Sequence, residues 1–425
     1  MNLIELRSHA LDEIEAAYAT KKPFVSIKTE IIDLFQHLKY LQSGPVCFIK
    51  EKDSDLQFLA HGAYQIFDGL ESTKFSAHEY IFGAEKFPNQ FGEFNNGYFF
   101  RPIILYKKDE PGHKTEVKIF LDYEAIPNKK TLSKFIIYIS ELLTFTNELS
   151  GTMPKRSQIV EVPEIDDWKS KVTKVTSSIT DKQKIVLSRQ KIISYKSAVS
   201  ESSLIDNIPM KDGQYLFYLK PSSGNFFISI SPEKLFSLRG NQVSVDCIAG
   251  TRPRGNTKNE DSILEKELIN SEKERAEHLF VANFLEEKMN KFCSNLTMTK
   301  AFDILKLSKV QHLNSEFVGE LKNGKSYLDI VKEIYPTPAV AGTPSKYAIT
   351  NIKEIEKVGR DFYAGACGYI AHQKAELLVG IRSIQVKGDK VYVYGGAGIV
   401  NGSDYQKEWL ETEQKMKNFS FLWEE

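Results

Sequence analysis

Residues 215–232 read YLFYLKPSSGNFFISISP, two runs rich in aromatic and apolar residues around the polar stretch 222–225. This pattern predicts a β-hairpin. Similar strand-like segments follow at 366–373, 376–386 and 390–395, with the turn sequence KGDK joining the last two. Strands joined by tight turns form antiparallel sheet.

Helix-like segments separate these groups of strands. The predicted helices cover 28–42, 130–148, 167–180, 261–292, 326–334, 351–358 and 403–418, and further strands are predicted at 45–50, 97–106, 184–189 and 310–321. This alternation predicts an α+β fold, a large layered structure of antiparallel sheets flanked by helices. The stretch 261–292 is predicted as one long helix with its apolar stripe on Ile269, Ala276, Leu279, Phe280 and Phe284. Residues 151–167 hold two prolines and no helical period, so they are predicted to connect an N-terminal part, 1–150, with the region that follows.

The composition excludes several classes of function. Lys+Arg and Asp+Glu number 56 each, so no basic field attracts nucleic acid. No apolar run approaches the ~18 residues that a membrane span needs, and the N-terminus lacks the apolar core of a secretory signal. The four cysteines are far apart and form no Cys-x-x-Cys pair. We therefore expect a cytoplasmic protein with buried thiols and neither nucleic-acid nor membrane partners.

Two Glu-x-x-Glu pairs, Glu274/Glu277 and Glu408/Glu411, lie on helix-like segments. Residues three apart share a helix face, so each pair can aim two carboxylates at one point. If the two helices converge, the four carboxylates require a cation, and all-oxygen ligands suit Mg²⁺. Taken alone, each pair is also typical of a solvated helix face.

The second half of the chain resembles the chorismate-utilising enzymes, which include isochorismate synthases, salicylate synthases, anthranilate synthase large subunits and aminodeoxychorismate synthases. The resemblance covers about 165–420 and rests on ten segments in the family's order: KIVLSR (184–189), SPEKLF (231–236), AGTRPRG (249–255), SEKERAEH (271–278), VQHLNSEFVGEL (310–321), YPTPAVAGTP (335–344), YAGACGYI (363–370), GIRSI (380–384), GGAGIVNGSD (395–404) and EWLETEQK (408–415). A weaker match, IFGAEKF followed by NNGYFFRPI, extends it toward the N-terminus. The resemblance implies that 165–420 is the chorismate-binding catalytic region and 1–150 the divergent N-terminal portion of the same fold.

Within the family, the turn 336–342, PTPAVAG, is similar to the isochorismate synthase version and places Ala339 beside the substrate. The implied reaction converts chorismate to isochorismate for menaquinone or catechol siderophore synthesis. Salicylate synthase and the amino-transferring enzymes remain alternatives, as does a catalytically silent chorismate-binding homologue. The only partner implied is the substrate, and the chain is expected to be a monomer or weak dimer.

The resemblance also implies roles for the charged residues. Lys184 is the expected base that activates water, and Glu233 is the expected acid that protonates the leaving hydroxyl, which requires a raised pKa. Mg²⁺ is the expected cofactor, with Glu277 and Glu411 as direct ligands and Glu274 and Glu408 behind them. Without the resemblance, Lys184 is typical of a strand start and Glu233 of a turn.

The remaining predicted site residues bind the substrate. Arg382 can grip the enolpyruvyl carboxylate bidentately, helped by the Tyr363 hydroxyl, and the N–H groups of Gly396 to Gly398 can form an anion-binding nest. The resemblance assigns the remaining contacts as follows: the ring carboxylate to Lys415, a ring hydroxyl to Thr251 after Gly250, and a binding or orienting role to His312.

Overall fold

The computed structural model describes residues 3–31, 33–41, 43–52, 54–73, 79–89, 96–109, 114–144, 151–209, 213–222, 224–306 and 310–424. These residues form 19 strands and ten α-helices. The helices are α1 (Leu3–Ala19), α2 (Leu34–His37), α3 (Lys129–Leu142), α4 (Ile165–Thr176), α5 (Glu201–Ile205), α6 (Lys258–Asn270), α7 (Glu272–Phe292), α8 (Tyr327–Ile334), α9 (Ser345–Ile355) and α10 (Tyr405–Met416). The strands are β1 (Phe24–Thr29), β2 (Val46–Lys50), β3 (Gln57–Phe67), β4 (Tyr80–Glu85), β5 (Gly97–Lys108), β6 (Thr115–Phe120), β7 (Arg156–Val162), β8 (Lys184–Tyr195), β9 (Tyr215–Ser222), β10 (Asn225–Ser231), β11 (Lys234–Arg239), β12 (Gln242–Pro253), β13 (Cys293–Lys306), β14 (Val310–Leu321), β15 (Gly342–Thr343), β16 (Ala366–Ala371), β17 (Lys374–Val379), β18 (Ser383–Lys387) and β19 (Lys390–Ile399).

All pairings between these strands are antiparallel, and they form two ribbons that meet at β5. The first ribbon runs β1–β6–β5–β3–β2–β9–β10–β18–β19–β8–β7, with β15 also on β8. The second runs β5–β4–β16–β17–β11–β12–β14–β13. Strands from both halves of the chain therefore alternate in one hydrogen-bonded network.

Alternating side chains of these strands enter different cores, because successive residues of a strand point to opposite faces. Cys47, Phe217 and Tyr369 belong to a core between the ribbons. Their neighbours Phe48 and Leu216 instead pack with α1 and α3 in a second core. Ile370 and Leu377 pack with α7, α8 and α9 in a third. The result is a helix–sheet–sheet–helix layering, which confirms the predicted α+β class.

Several predicted elements differ from the structure. The segment 28–42 is not one helix: β1 ends at Thr29, where pairing with β6 sets an alternating buried pattern, and α2 is short and begins at the Asp33 cap. The predicted connector contains β7, which pairs with β8, and its last residues begin α4. The helix predicted at 130–148 ends at Leu142, and its last predicted residues lie outside the described part of the chain.

The predicted helix 261–292 is two helices, because Ser271 caps the start of α7 with its side chain. Its predicted apolar stripe is also wrong, since Leu279 and Phe280 are exposed while Val281, Leu285 and other residues enter the core. The strand predicted at 376–386 divides into β17 and β18 around Arg382, and β13 was not predicted.

Candidate active site

Lys184 is the first residue of β8 and lies against the glycine-rich end of β19. In the ladder, Gly398 pairs with Val186. A Cβ atom at position 398 would lie 2.3 Å from Cε and 3.1 Å from Nζ of Lys184. The lysine side chain therefore crosses β19 at a position that only glycine leaves open.

The absence of a side chain at Gly396 likewise leaves room for the hydroxyl of Tyr363. A Cβ atom at 396 would lie 2.6 Å from the phenol oxygen of Tyr363. The Tyr363 ring is buried and stacks on Tyr394 with a centroid separation of 5.0 Å and an angle of 7°. Burial raises the pKa of Tyr363 to about 12, so at neutral pH its hydroxyl is a neutral hydrogen-bond donor.

The glycine run is extended strand, so the predicted nest is wrong in its geometry. The partners of Gly396 and Gly398 on β8 are Ser188 and Val186, whose N–H groups bond instead to Glu356 Oε1 (2.6 Å) and to a carbonyl outside β19 (2.9 Å). The N–H groups of both glycines therefore point away from β8. Since the described part of β18 pairs with β19 only as far as Val393, the N–H groups of Gly396 and Gly398 lie on a strand edge that β18 does not cover. They are about 6.6 Å apart along the strand, so either one can donate to a carboxylate oxygen.

Helix α10 begins at the Asp404 cap and carries one glutamate pair beside this edge. Lys415 donates to Glu411 Oε1 (2.5 Å) and to the carbonyl of Gly396 (2.8 Å). Burial raises the pKa of Glu411, but Lys415 and then Lys184 outweigh it, and the net pKa is lowered. Burial, with the charge of Glu411 adding to it, raises the pKa of Glu408.

The other glutamate pair begins α7. Glu274 is 9% exposed and accepts hydrogen bonds from the N–H of Thr251 (3.1 Å) and from Arg252 Nη1 (2.7 Å). Gly250 has φ of +79° at a bulge in the β12–β14 ladder, and a Cβ there would lie 3.2 Å from Glu274 Cβ. A glycine in the left-handed region thus lets the helix approach β12 closely. The side chain of Glu277 lies outside the described part of the structure.

Thr251 and His312 pair across β12 and β14, and Thr251 Oγ1 lies 2.9 Å from His312 Nδ1. Burial, followed by the positive charges of Arg382 and Lys415, lowers the pKa of His312 to about 3. His312 is therefore a neutral imidazole at physiological pH, suited to orienting a hydroxyl by hydrogen bonding.

Glu233 lies in the turn between β10 and β11. Its N–H donates to Ser231 Oγ (3.2 Å), and its Oε1 accepts from Thr337 Oγ1 (3.2 Å). Burial raises the pKa of the Glu233 carboxyl to about 7, with Asp246 also raising it and Lys415 lowering it. A large fraction of this carboxyl keeps its proton near neutral pH, as an acid catalyst requires.

Arg382 follows β17 with φ of +50°, and its carbonyl accepts from the N–H of Ile230 (3.0 Å). Burial lowers the pKa of the guanidinium, opposed by Tyr363 and Glu411. An arginine nevertheless stays charged, so Arg382 places a half-buried cation near Tyr363.

These side chains interact as one cluster. Lys415 interacts electrostatically with Glu411, Glu233 and His312. Arg382 interacts with Tyr363, Glu411 and His312, and Lys184 interacts with Glu408 and Glu411. Ala339 is half-buried in the turn that follows Thr337. The structure thus brings predicted residues from four strands (β8, β12, β14 and β19), two helices (α7 and α10) and the loops between elements to one region.

The carboxylates have the chemistry of a magnesium site, although the described side chains contain no cluster of three His, Cys, Asp or Glu residues arranged for a metal. The described glutamate side chains offer only oxygen donors, which Mg²⁺ prefers. Glu408 is half-buried, and burial, with the charge of Glu411 adding to it, raises its pKa, so a nearby cation would favour the charged form of this carboxylate. The residues therefore fit the ion chemically.

Sequence reasoning gave no role to Arg252, Thr337 or Arg360, which nevertheless support the site. Arg252 neutralises Glu274, and Thr337 binds Glu233. Arg360 is 3% exposed and donates to the carbonyls of Val340 (2.7 Å) and Val186 (2.6 Å). Arg252 and Thr337 lie inside two of the ten quoted segments, which is the only signal that could have indicated them.

The chain belongs to the chorismate binding enzymes, the family that matches residues 78–421. Among curated relatives, it is 29% identical to isochorismate synthase MenF of Bacillus subtilis over 345 residues, which cover 79% of this chain and 71% of the relative. It is 38% identical to anthranilate synthase component 1 of Thermococcus kodakarensis over 212 residues, 48% of this chain and 49% of the relative.

The fold is that of solved family members. The structure of MenF, the menaquinone-specific isochorismate synthase of Escherichia coli, superposes with a TM-score of 0.86 at 23% identity, covering 97% of this chain and 99% of the other. Among the described residues, every helix is too short or too polar to cross a membrane.

Proposed function

We propose that this protein is a magnesium-dependent isochorismate synthase. It converts chorismate to isochorismate, which a menaquinone or catechol siderophore pathway consumes. The observation that carries this proposal is the presence, in one cluster of side chains, of an amine, Lys184, and a carboxyl, Glu233, whose pKa is raised to about 7. Isomerisation by water needs both a base and an acid, whereas an amino-transferring enzyme receives a nucleophile that is already basic.

In this mechanism the amine of Lys184 accepts a proton from the water that attacks ring carbon 2. The ring double bonds shift, and the C–O bond at carbon 4 breaks. Glu233 donates its proton to the departing hydroxide, which leaves as water. One water is consumed and one released, so the reaction is a net isomerisation with one proton gained by Lys184 and one lost by Glu233.

The substrate carboxylates bind to separate groups. Arg382 and the Tyr363 hydroxyl bind the enolpyruvyl carboxylate, together with one N–H group of the Gly396–Gly398 edge of β19. Thr251, oriented by the neutral His312, binds a ring hydroxyl. These contacts hold the ring between base and acid, which lowers the entropic barrier of the reaction.

Glu411 and Glu277 would hold Mg²⁺ directly, with Glu274 and Glu408 behind them and Lys415 beside the ring carboxylate. When bound, Mg²⁺ would supply positive charge that offsets these carboxylates and would stabilise the charge that develops on the ring. Glu274 is already bonded to Thr251 and Arg252, which supports an outer position.

The decisive test is product analysis after incubation of purified protein with chorismate and Mg²⁺. Isochorismate alone, lost on chelation, supports the proposal. Salicylate and pyruvate without an added lyase would identify a salicylate synthase, and ammonia-dependent anthranilate an amino-transferring enzyme. No product and no calorimetric binding of chorismate with Mg²⁺ would indicate a catalytically silent homologue.

The proton-transfer roles are tested by Lys184→Ala and Glu233→Gln. Each should reduce turnover at least about 1,000-fold, within the range of acid–base contributions, while circular dichroism stays unchanged. The matched controls are Lys182→Ala and Glu267→Gln, both at exposed positions. Activity retained in either site variant would remove that residue from the mechanism.

A further inference from the structure

The turn 336–342 contacts the proposed acid directly. Thr337, 9% exposed, donates its hydroxyl to Glu233 Oε1 (3.2 Å). The carbonyl of Thr337 accepts from the N–H groups of Val340 (3.1 Å) and Ala341 (3.0 Å). The backbone of the turn and the carboxyl of Glu233 are therefore both held by this one residue.

The same turn is tied to the strand that begins with Lys184. The N–H of Val186 donates to the carbonyl of Ala341 (2.9 Å), and Thr343 pairs with Lys184 in the β15–β8 ladder. Arg360 joins the turn to β8 through the carbonyls of Val340 and Val186, and it forms an ion pair with Glu356, which directly follows α9. The turn is consequently a rigid link between the proposed base and the proposed acid.

We propose that Thr337 is a positioning residue that occupies Oε1 of Glu233, so that Oε2 carries the proton delivered to the substrate. This inference rests on the proposed function and deepens it. After proton transfer, the same hydrogen bond stabilises the carboxylate that forms. Thr337 thus acts through Glu233 and has no substrate contact of its own to contribute.

The charges around Glu233 determine the direction of the expected change. The groups that face it are Asp246 on β12, Lys415 on α10, Lys52 after β2, and the neutral Tyr363 and Cys247. Burial and Asp246 raise the pKa of Glu233, while Thr337, Lys415 and Lys52 lower it. Removing the Thr337 hydroxyl therefore raises the pKa further above its wild-type value of about 7.

The test compares Thr337→Val, which keeps the side-chain shape, with Thr337→Ser, which keeps the hydroxyl. The pKa of Glu233 is read by infrared difference spectroscopy of the protonated carboxyl C=O stretch, assigned by its loss in Glu233→Gln. We expect Thr337→Val to raise this pKa by about one unit, the effect of losing a hydrogen bond to a carboxylate. We also expect kcat to fall about tenfold at constant KM, and Thr337→Ser to restore both. The control Thr350→Val, which removes a hydroxyl bonded only to its own helix, should change neither.

An unchanged carboxyl pKa in folded Thr337→Val would overturn the positioning role, as would a loss of kcat that Thr337→Ser does not restore. A rise in KM without a change in kcat would also overturn it, because it would indicate a substrate contact. A shifted pKa in a protein that makes no isochorismate would instead contradict the proposed function and leave the Thr337–Glu233 contact intact. The two failures are therefore distinguishable.

Discussion

Lys184 and Gly398 share one space: a Cβ atom at position 398 would lie 2.3 Å from Cε of the lysine. The obstructing atom belongs to a flexible side chain, so Gly398→Ala should move Lys184 and spare the fold. We expect kcat to fall about 100-fold, the effect of displacing a reacting group by about 1 Å. The control is Gly359→Ala, where a Cβ meets no atom within 4 Å. Steady-state kinetics and thermal unfolding together check this prediction, and wild-type kcat in Gly398→Ala would contradict it.

Gly396→Ala should act on substrate binding instead. Its Cβ would crowd the Tyr363 hydroxyl, whose ring is fixed by stacking on Tyr394. Losing this hydrogen bond to the substrate carboxylate should weaken binding about tenfold. Calorimetry with chorismate and Mg²⁺ in the Lys184→Ala background, which prevents turnover, measures the change. Equal affinity with and without the Gly396 substitution would show that Tyr363 does not bind the carboxylate.

The proposed magnesium ligands should differ in importance. Removing a direct ligand, as in Glu411→Gln, should lower Mg²⁺ affinity about 100-fold or more, and removing an outer group, as in Glu274→Gln, about tenfold. Calorimetric titration with Mg²⁺ in the presence of chorismate, again in the Lys184→Ala background, measures both without relying on activity. Glu267→Gln at an exposed position provides the control. Equal losses in the two site variants would contradict the proposed ligand order.

His61 should make stability depend on pH. Burial lowers its pKa from 6.5 to about 4, opposed by its hydrogen bond with the carbonyl of Ser43. Below pH 6.5 the unfolded chain therefore binds a proton that the native state does not, so stability falls as pH falls toward 4. His61→Gln keeps a hydrogen-bonding group and removes this titration. The loss in unfolding free energy between pH 7.5 and 5.5 should shrink by about 1.4 kcal/mol in urea titrations. The control is His372→Gln at an exposed position, which should leave this pH-dependent loss unchanged. An unaltered pH dependence of stability in His61→Gln would contradict the prediction.

Sequence patterns predicted the elements whose side chains alternate or repeat clearly. The hairpin 215–232 and the strand at 184–189 are present, because their apolar faces enter buried cores. The segment 28–42 is helical only from Leu34 onward, because its first two residues pair with β6 and the Asp33 side chain caps the start of α2. The prediction of one helix at 261–292 missed the break at Ser271. There a local signal decides the structure, because the Ser271 side chain caps the start of a new helix.

The ordered segments determined, without coordinates, which family this chain joins and which residues to examine. Only the tertiary structure decided the state of those residues. The raised pKa of Glu233 and the neutral imidazole of His312 arise from burial among charges that are distant in sequence. The glycines of β19 were predicted as an anion nest, whereas packing shows that they are extended strand and leave space for Lys184 and Tyr363. The order of residues along the chain specifies their types and spacing. Their desolvation and steric clearance depend instead on which groups the folded chain places beside each side chain.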